Sequence, residues 1–334
     1  MKNVRKLFAA LLSVMMLAAL TILPASAKDD SKTINVGDNI TITTSDTYGA
    51  SINIKLSDYN IKAYSFKTYT DLSYGKKAKN KYDLYIPSNV LKAKKGPLIV
   101  LIHGGAYNSG SKDDEASIGY LYAAAGYMVA NIDYTPTAKY NGVDLLDMNK
   151  ELFQGVKAAK KKLTKLGISC NEMATFGYSA GGGLALTYAY THAKDSAIPV
   201  KFVSAGSAPA DFTSDAWMNG LYVKNKREAA EFVSGDKYTD AEVGPGTKGE
   251  KLLKRMSPIT YLKKNSVPTL LLYGEQDYLV PTGQHKAFLK KLNKLGVYNE
   301  VYLNPVGGHL SLVSVQGVQW LLRTLDWCNM FFTN

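Results

Sequence analysis

Cysteine is nearly absent from this chain of 334 residues: Cys170 and Cys328 are the two, 158 positions apart. That scarcity excludes a disulfide-stapled scaffold, and the spacing fits no metal-ligand pattern, which leaves one bridge between the two as the open possibility. Histidine is also scarce, with His103, His192, His285 and His309 as the full set. Chemistry that needs an imidazole must therefore use one of four positions. Beyond Leu23 no apolar run approaches the ~20 residues of a membrane helix, so stable membrane insertion is not expected. Long blocks of one charge are missing too. Lys94-Lys95 and Lys160-Lys161-Lys162 are short clusters on a chain of net charge +12, and they read as a solvated lysine face rather than a nucleic-acid arm. No internal repeat and no low-complexity tract interrupts the pattern.

What is present begins with a targeting signature. Lys2, Arg5 and Lys6 precede an almost wholly apolar stretch from Leu7 to Leu23, followed by Pro24 and the small residues Ala25-Ser26-Ala27. This order predicts a signal peptide over 1–27, a mature chain from Lys28 and a secreted, extracytoplasmic product. An uncleaved anchor is the alternative, which Pro24 disfavours; no cysteine follows to carry a lipid.

Residues 28–65 alternate polar with β-branched side chains over Thr33 to Thr44 and Ala50 to Leu56, which predicts a short N-terminal β extension. From 66 to 334 the pattern alternates strand and helix, the mark of an α/β domain with a mostly parallel sheet and helices on both faces. Strands are expected at Lys81 to Ile86, Pro97 to Ile102, Tyr127 to Ile132, Met173 to Phe176, Lys201 to Ser204, Thr269 to Tyr273 and Glu300 to Leu303. Helices are expected over 144–166, from Ala180 to His192 and within Leu310 to Phe332. Residues 212–260 read as an irregular insertion near the active edge, whose Phe212, Trp217, Leu221, Tyr222 and Phe232 either cap a pocket or anchor the insertion.

The motif with most chemical content is Gly177-Tyr178-Ser179-Ala180-Gly181, set between a short strand and a helix. A serine hydroxyl is a poor nucleophile unless a sharp turn exposes it to a base and to oxyanion donors, and G-x-S-x-G between strand and helix makes that turn. Upstream, His103-Gly104-Gly105 follows a buried strand. Adjacent glycines there let backbone N–H groups face open space, so Gly104, Gly105 and Ala180 are the candidate oxyanion donors. Among the histidines, His103 belongs beneath that loop. His192 is about 20 Å along the helix from Ser179, and His285 lies on a lysine-rich helix expected at the surface. His309, after the flexible Gly307-Gly308, is the candidate base. The acid should lie between serine and histidine in the chain. Asp277 is the first choice in the Gly274-Glu275-Gln276-Asp277 turn, with Glu275 second and Asp211 third.

Taken in order, these motifs resemble the α/β-hydrolase fold of the carboxylesterase/lipase branch, which includes hormone-sensitive-lipase-like and BD-FAE-type bacterial esterases. The likeness runs from Leu72 to Trp327. It rests on Tyr82-Asp83-Leu84-Tyr85-Ile86-Pro87, His103-Gly104-Gly105, Asp133-Tyr134, the serine turn, Ser257-Pro258-Ile259, Leu272-Tyr273-Gly274-Glu275-Gln276-Asp277 and Gly308-His309. It implies a Ser179, Asp277, His309 triad acting through an acyl-enzyme, with no metal or organic cofactor. Two positions depart from many relatives: Ala106 then Tyr107 follow the glycine pair, and Tyr178 precedes the serine where an acidic residue is common. Both point to the BD-FAE-type group, whose activities centre on plant-polysaccharide side groups. The implied substrate is a short-chain or feruloyl ester, small or polysaccharide-linked. A prolyl-oligopeptidase-type peptidase and a catalytically inactive binding module are the alternatives.

Overall fold

A computed structural model describes residues 32–37, 40–45, 49–54, 61–138 and 141–333; the expected signal peptide over 1–27 lies outside them. Three strands, β1 (Lys32–Gly37), β2 (Ile40–Ser45) and β3 (Gly49–Ile54), form an antiparallel sheet of their own. Ile34 pairs with Ile42 and Ile42 with Ile52, as the alternation in that stretch suggests.

The remaining strands form one eight-stranded sheet. In chain order they are β4 (Phe66–Ser73), β5 (Lys81–Pro87), β6 (Leu98–Ile102), β7 (Met128–Ile132), β8 (Met173–Tyr178), β9 (Val200–Gly206), β10 (Thr269–Gly274) and β11 (Asn299–Asn304). Their spatial order is β11-β10-β9-β8-β6-β7-β5-β4. From β7 through β11 every pairing is parallel, and β5 joins β7 antiparallel, so the α/β-hydrolase architecture with a mostly parallel sheet is observed. β4 was not legible as a strand: it is an edge strand whose side chains are half-buried or exposed, so no apolar run marks it.

The unbroken apolar run of β6 has a direct cause. Side chains alternate across a strand, so Leu98, Val100 and Ile102 enter one core while Ile99 and Leu101 enter the other. The first core is covered by the helix Leu145–Lys165, whose Leu145, Met148, Leu152, Val156, Ala159 and Leu163 lie on one face at helical spacing. Asp144 starts that helix by accepting the Asp147 N–H at 2.8 Å. On the second face lies the helix Val315–Phe331, begun by Ser314 accepting the Gly317 N–H at 3.1 Å. Cys170 belongs to the first core and Cys328 to the second, so the sheet separates them and both are free thiols. Burial pushes the Cys170 thiol up to about 12, which leaves it inert.

The segment 212–260 is more regular than its composition suggests. Helices span Asp215–Met218, Lys226–Ser234, Lys248–Met256 and Pro258–Tyr261. Local side chains set their ends: Ser214 accepts from Trp217 N–H, Asn225 from Glu228 N–H, and Gly235 closes its helix at φ 67°. These helices are too short for a periodic stripe to stand out in sequence. Phe212 and Trp217 are buried, and Phe212, Trp217 and Phe232 pack edge-on or tilted with Tyr107 from the loop after β6, Tyr222 adding to Phe232. Anchoring is therefore what these four aromatics do. Leu221, by contrast, is exposed. No helix among the described residues is long and apolar enough to cross a membrane.

Candidate active site

Parallel strands deliver their C-terminal ends to one edge, where α/β proteins place their chemistry. Here β6 ends just before His103, β8 runs into Ser179, β10 leads to Asp277, and β11 leads to the loop carrying His309.

Ser179 has φ 57° and ψ −125°, a conformation a side chain rarely adopts, costing on the order of 1–3 kcal/mol. The surroundings impose it. Ser179 N–H donates to Gly206 O on β9 at 2.8 Å, and the helix Ala180–Thr191 starts at the next residue. The helix start lies so close to the sheet that a Cβ at Gly177 would overlap the Gly181 backbone, and one at Gly181 would overlap the Ile102 carbonyl. The glycine spacing of the motif thus follows from a backbone-on-backbone approach.

His309 Nε2 lies 2.8 Å from Ser179 Oγ, and His309 Nδ1 lies 2.8 Å from Asp277 Oδ2. The Asp277 side chain is fully buried, while that of His309 is 14% exposed, so the imidazole edge is reachable and the carboxylate is not. Asp277 Oδ1 accepts the N–H groups of Leu279 at 2.8 Å and Val280 at 2.9 Å. With one oxygen held by two backbone donors, the other is aimed at the ring. Of the three acids considered, Asp277 alone contacts His309. Asp211 accepts instead from Thr213, and the backbone of Glu275 pairs with Asn304 and Thr282.

The other histidines occupy different settings. His103 is fully buried, its Nδ1 donating to Gly104 O at 2.8 Å and its ring stacked on Tyr134 with centroids 4.1 Å apart. Burial pushes it down to about 4, so it is neutral at pH 7 and its 3.6 Å approach to Asp133 is no ion pair. His192 pairs with Asp195 at the far end of its helix. His285 is a correction: it is buried and stacked on Tyr273 with centroids 4.9 Å apart. It lies three and seven positions before the buried Phe288 and Leu292, hence on the inward face of its helix, which the flanking lysines obscure.

The loop after β6 is held from below. Gly104 O accepts from His103, and Gly105 O accepts from Ser109 N–H at 3.0 Å and Ser109 Oγ at 2.8 Å. In a trans peptide the C=O and the following N–H point oppositely. Tying these two carbonyls inward turns the Gly105 and Ala106 N–H groups to the other side. The loop then runs through φ 108° at Gly105, 51° at Ala106 and 62° at Tyr107. The Gly104 backbone lies beside the buried Glu115 carboxyl.

Burial beside Asp114 raises Glu115 from an ordinary 4.5 to about 8, against the opposing Gly104 hydrogen bond. Between those values the folded chain holds a proton that the unfolded chain has released, so stability falls as pH rises through that window. Glu115→Gln removes this term. Its melting temperature relative to the parent should rise by roughly 3–6 °C between pH 5 and pH 8 in paired thermal scans; a gap independent of pH would contradict it.

Comparison with known proteins agrees with the architecture. Isoprenylcysteine alpha-carbonyl methylesterase of Arabidopsis thaliana is 25% identical over 257 residues, which cover 75% of this chain and 58% of that protein. Esterase LipQ of Mycobacterium tuberculosis is 24% identical over 260 residues, covering 74% of this chain and 58% of its own length. The chain thus spans 58% of the length of each of these two curated relatives. A truncated carbohydrate esterase from gut microbiota superimposes with a TM-score of 0.66 at 19% identity, covering 82% of this chain and 98% of that one, a likeness of fold. The BD-FAE family model matches residues 82–292, more than half of the chain, and His309 lies beyond the matched segment. By that match, the chain belongs to the BD-FAE family.

Proposed function

We propose that this chain is a secreted serine carboxylic ester hydrolase acting on short-chain or feruloyl esters of plant carbohydrate. The reading is carried by one observation: Ser179 Oγ, His309 and Asp277 form an unbroken series of 2.8 Å contacts. His309 takes the Ser179 proton through Nε2 as Oγ attacks the ester carbonyl. Asp277 holds the Nδ1–H and stabilises the imidazolium that results. The oxyanion falls to backbone N–H groups of the loop after β6, from Gly104 to Ala106, and to that of Ala180. His309 then protonates the leaving alcohol, and water resolves the acyl-enzyme by the same steps in reverse roles.

Substrate class is supported by likeness and by packing. The named carbohydrate-esterase and esterase relatives favour ester over amide. Tyr107, Phe212, Trp217 and Phe232 pack edge-on or tilted against one another beside the loop, which supports a short acyl group over a long one. Export rests on the pattern of residues 1–27, and amino-terminal sequencing of protein recovered from culture medium should begin at Lys28.

Acetyl, butyryl, octanoyl and feruloyl esters, run beside acetylated xylan, test the assignment. Acetyl or feruloyl esters should exceed octanoyl in kcat/KM by at least about tenfold, the discrimination expected when a chain of methylenes has no pocket. Preference for octanoyl would sink the substrate class. A fluorophosphonate should label Ser179, and folded protein that resists labelling would favour a binding module instead.

A further inference from the structure

Tyr178 lies immediately before Ser179, and its hydroxyl meets the loop that carries His309. We propose that Tyr178 is a positioning residue for His309, holding the histidine by its own backbone carbonyl; this rests on the reading of Ser179 and His309 as nucleophile and base. The Tyr178 hydroxyl donates to His309 O and accepts the N–H of Leu312 at 3.2 Å. It therefore spans residues 309 to 312, with donor and acceptor capacity both engaged. Ser207 Oγ supports the same point, 3.3 Å from His309 O and 3.0 Å from the tyrosine hydroxyl. The histidine follows Gly307 and Gly308, which restrain the backbone little by themselves, so hydrogen bonds hold the segment: Gln276 N–H to Gly307 O at 2.9 Å, Ser311 Oγ to Gly308 O at 2.8 Å, and the Tyr178 hydroxyl to His309 O.

The phenol is itself fixed. Its ring is buried against Trp320, centroids 6.3 Å apart, and meets the His309 ring edge-on at 5.9 Å. Across the strand pair Tyr178 faces Gly206, where a Cβ would overlap the tyrosine ring. Gly206 has no positive φ, so the space for this ring is what asks for glycine there. The outcome is a short ruler. One backbone segment carries the nucleophile at residue 179 and, one residue earlier, the group that anchors the base. An error of about 1 Å in such a pair can cost as much as 10²-fold in rate.

Tyr178→Phe keeps the ring and deletes the hydroxyl, which separates core filling from positioning. On the full chain, kcat for p-nitrophenyl acetate, normalised to active sites titrated with a fluorophosphonate, should fall about tenfold or more while KM stays within about twofold. Ser207→Ala should give a smaller loss, and the double variant should be no worse than Tyr178→Phe within about twofold, because both hydroxyls serve one acceptor. A normalised kcat within twofold of the parent for Tyr178→Phe overturns the proposal. If that variant does not fold, Ser207→Ala decides alone, an unchanged kcat being the overturning result. An unaltered chain without ester hydrolysis would overturn the esterase reading and this role with it, whereas an active parent matched by an equally active Tyr178→Phe overturns the positioning role only.

Discussion

Replacement of Ser179 by alanine is expected to lower kcat by about 10⁵- to 10⁶-fold on any ester the parent cleaves, because the only atom removed is the one that forms the acyl bond. His309 keeps its bond to Asp277 in that variant, and the loop after β6 keeps its inward hydrogen bonds, so KM should change little. Stability offers a second reading of the same position. The φ of 57° at Ser179 is as unfavourable for alanine as for serine, whereas glycine adopts it freely. Ser179→Gly should therefore be inactive like Ser179→Ala but more stable than it by about 1 kcal/mol, measured by urea denaturation. Equal stability of the two would mean that the turn is not strained. Activity within tenfold of the parent in either would remove Ser179 as nucleophile.

The second large effect concerns Asp277→Asn. Oδ1 of Asp277 is held by the Leu279 and Val280 N–H groups, so the asparagine must place its carbonyl oxygen there and its NH2 toward His309. A donor at that place can meet only an unprotonated Nδ1. The proton then moves to Nε2 and points at Ser179, leaving no lone pair to receive the serine hydrogen. A comparable change in serine proteases costs about 10⁴-fold in kcat, and a loss of that order is expected here. Folding should be nearly untouched, since both backbone donors keep their acceptor. Asp277→Ala should behave differently, destabilising the chain by about 1–3 kcal/mol for each N–H left buried without a partner. Pre-steady-state acylation separates the cases: Asp277→Asn must slow the chemical step itself. A variant that acylates at the parent rate would show that Asp277 only braces its loop.

Much of this was legible before the fold was known, and the reasons are local. A strand buried on both faces reads as an apolar run, as β6 and β10 do. A serine turn leaves its glycines at fixed spacing, as at Gly177 and Gly181. The places that did not read out depend on neighbours distant in the chain. His285 is polar and flanked by lysine, yet the Tyr273 ring receives it. β4 has no apolar signature because none of its side chains is fully buried. The inward turn of the Gly104 and Gly105 carbonyls depends on partners at His103 and Ser109, which the glycine pair by itself does not announce.

By itself the sequence determined the class of architecture and the glycine-flanked serine turn, since each is written in spacing a few residues long. Tertiary structure alone decided that Asp277 rather than Glu275 or Asp211 meets His309, that Cys170 and Cys328 stand on opposite faces of the sheet, and that the Tyr178 hydroxyl reaches the histidine loop. The two contacts join segments 32 and 131 residues apart, and the cysteines that stay apart are separated by 158. Chain spacing carries no record of such distances, because the sheet order β8-β9-β10 and the helices laid across it bring the segments together.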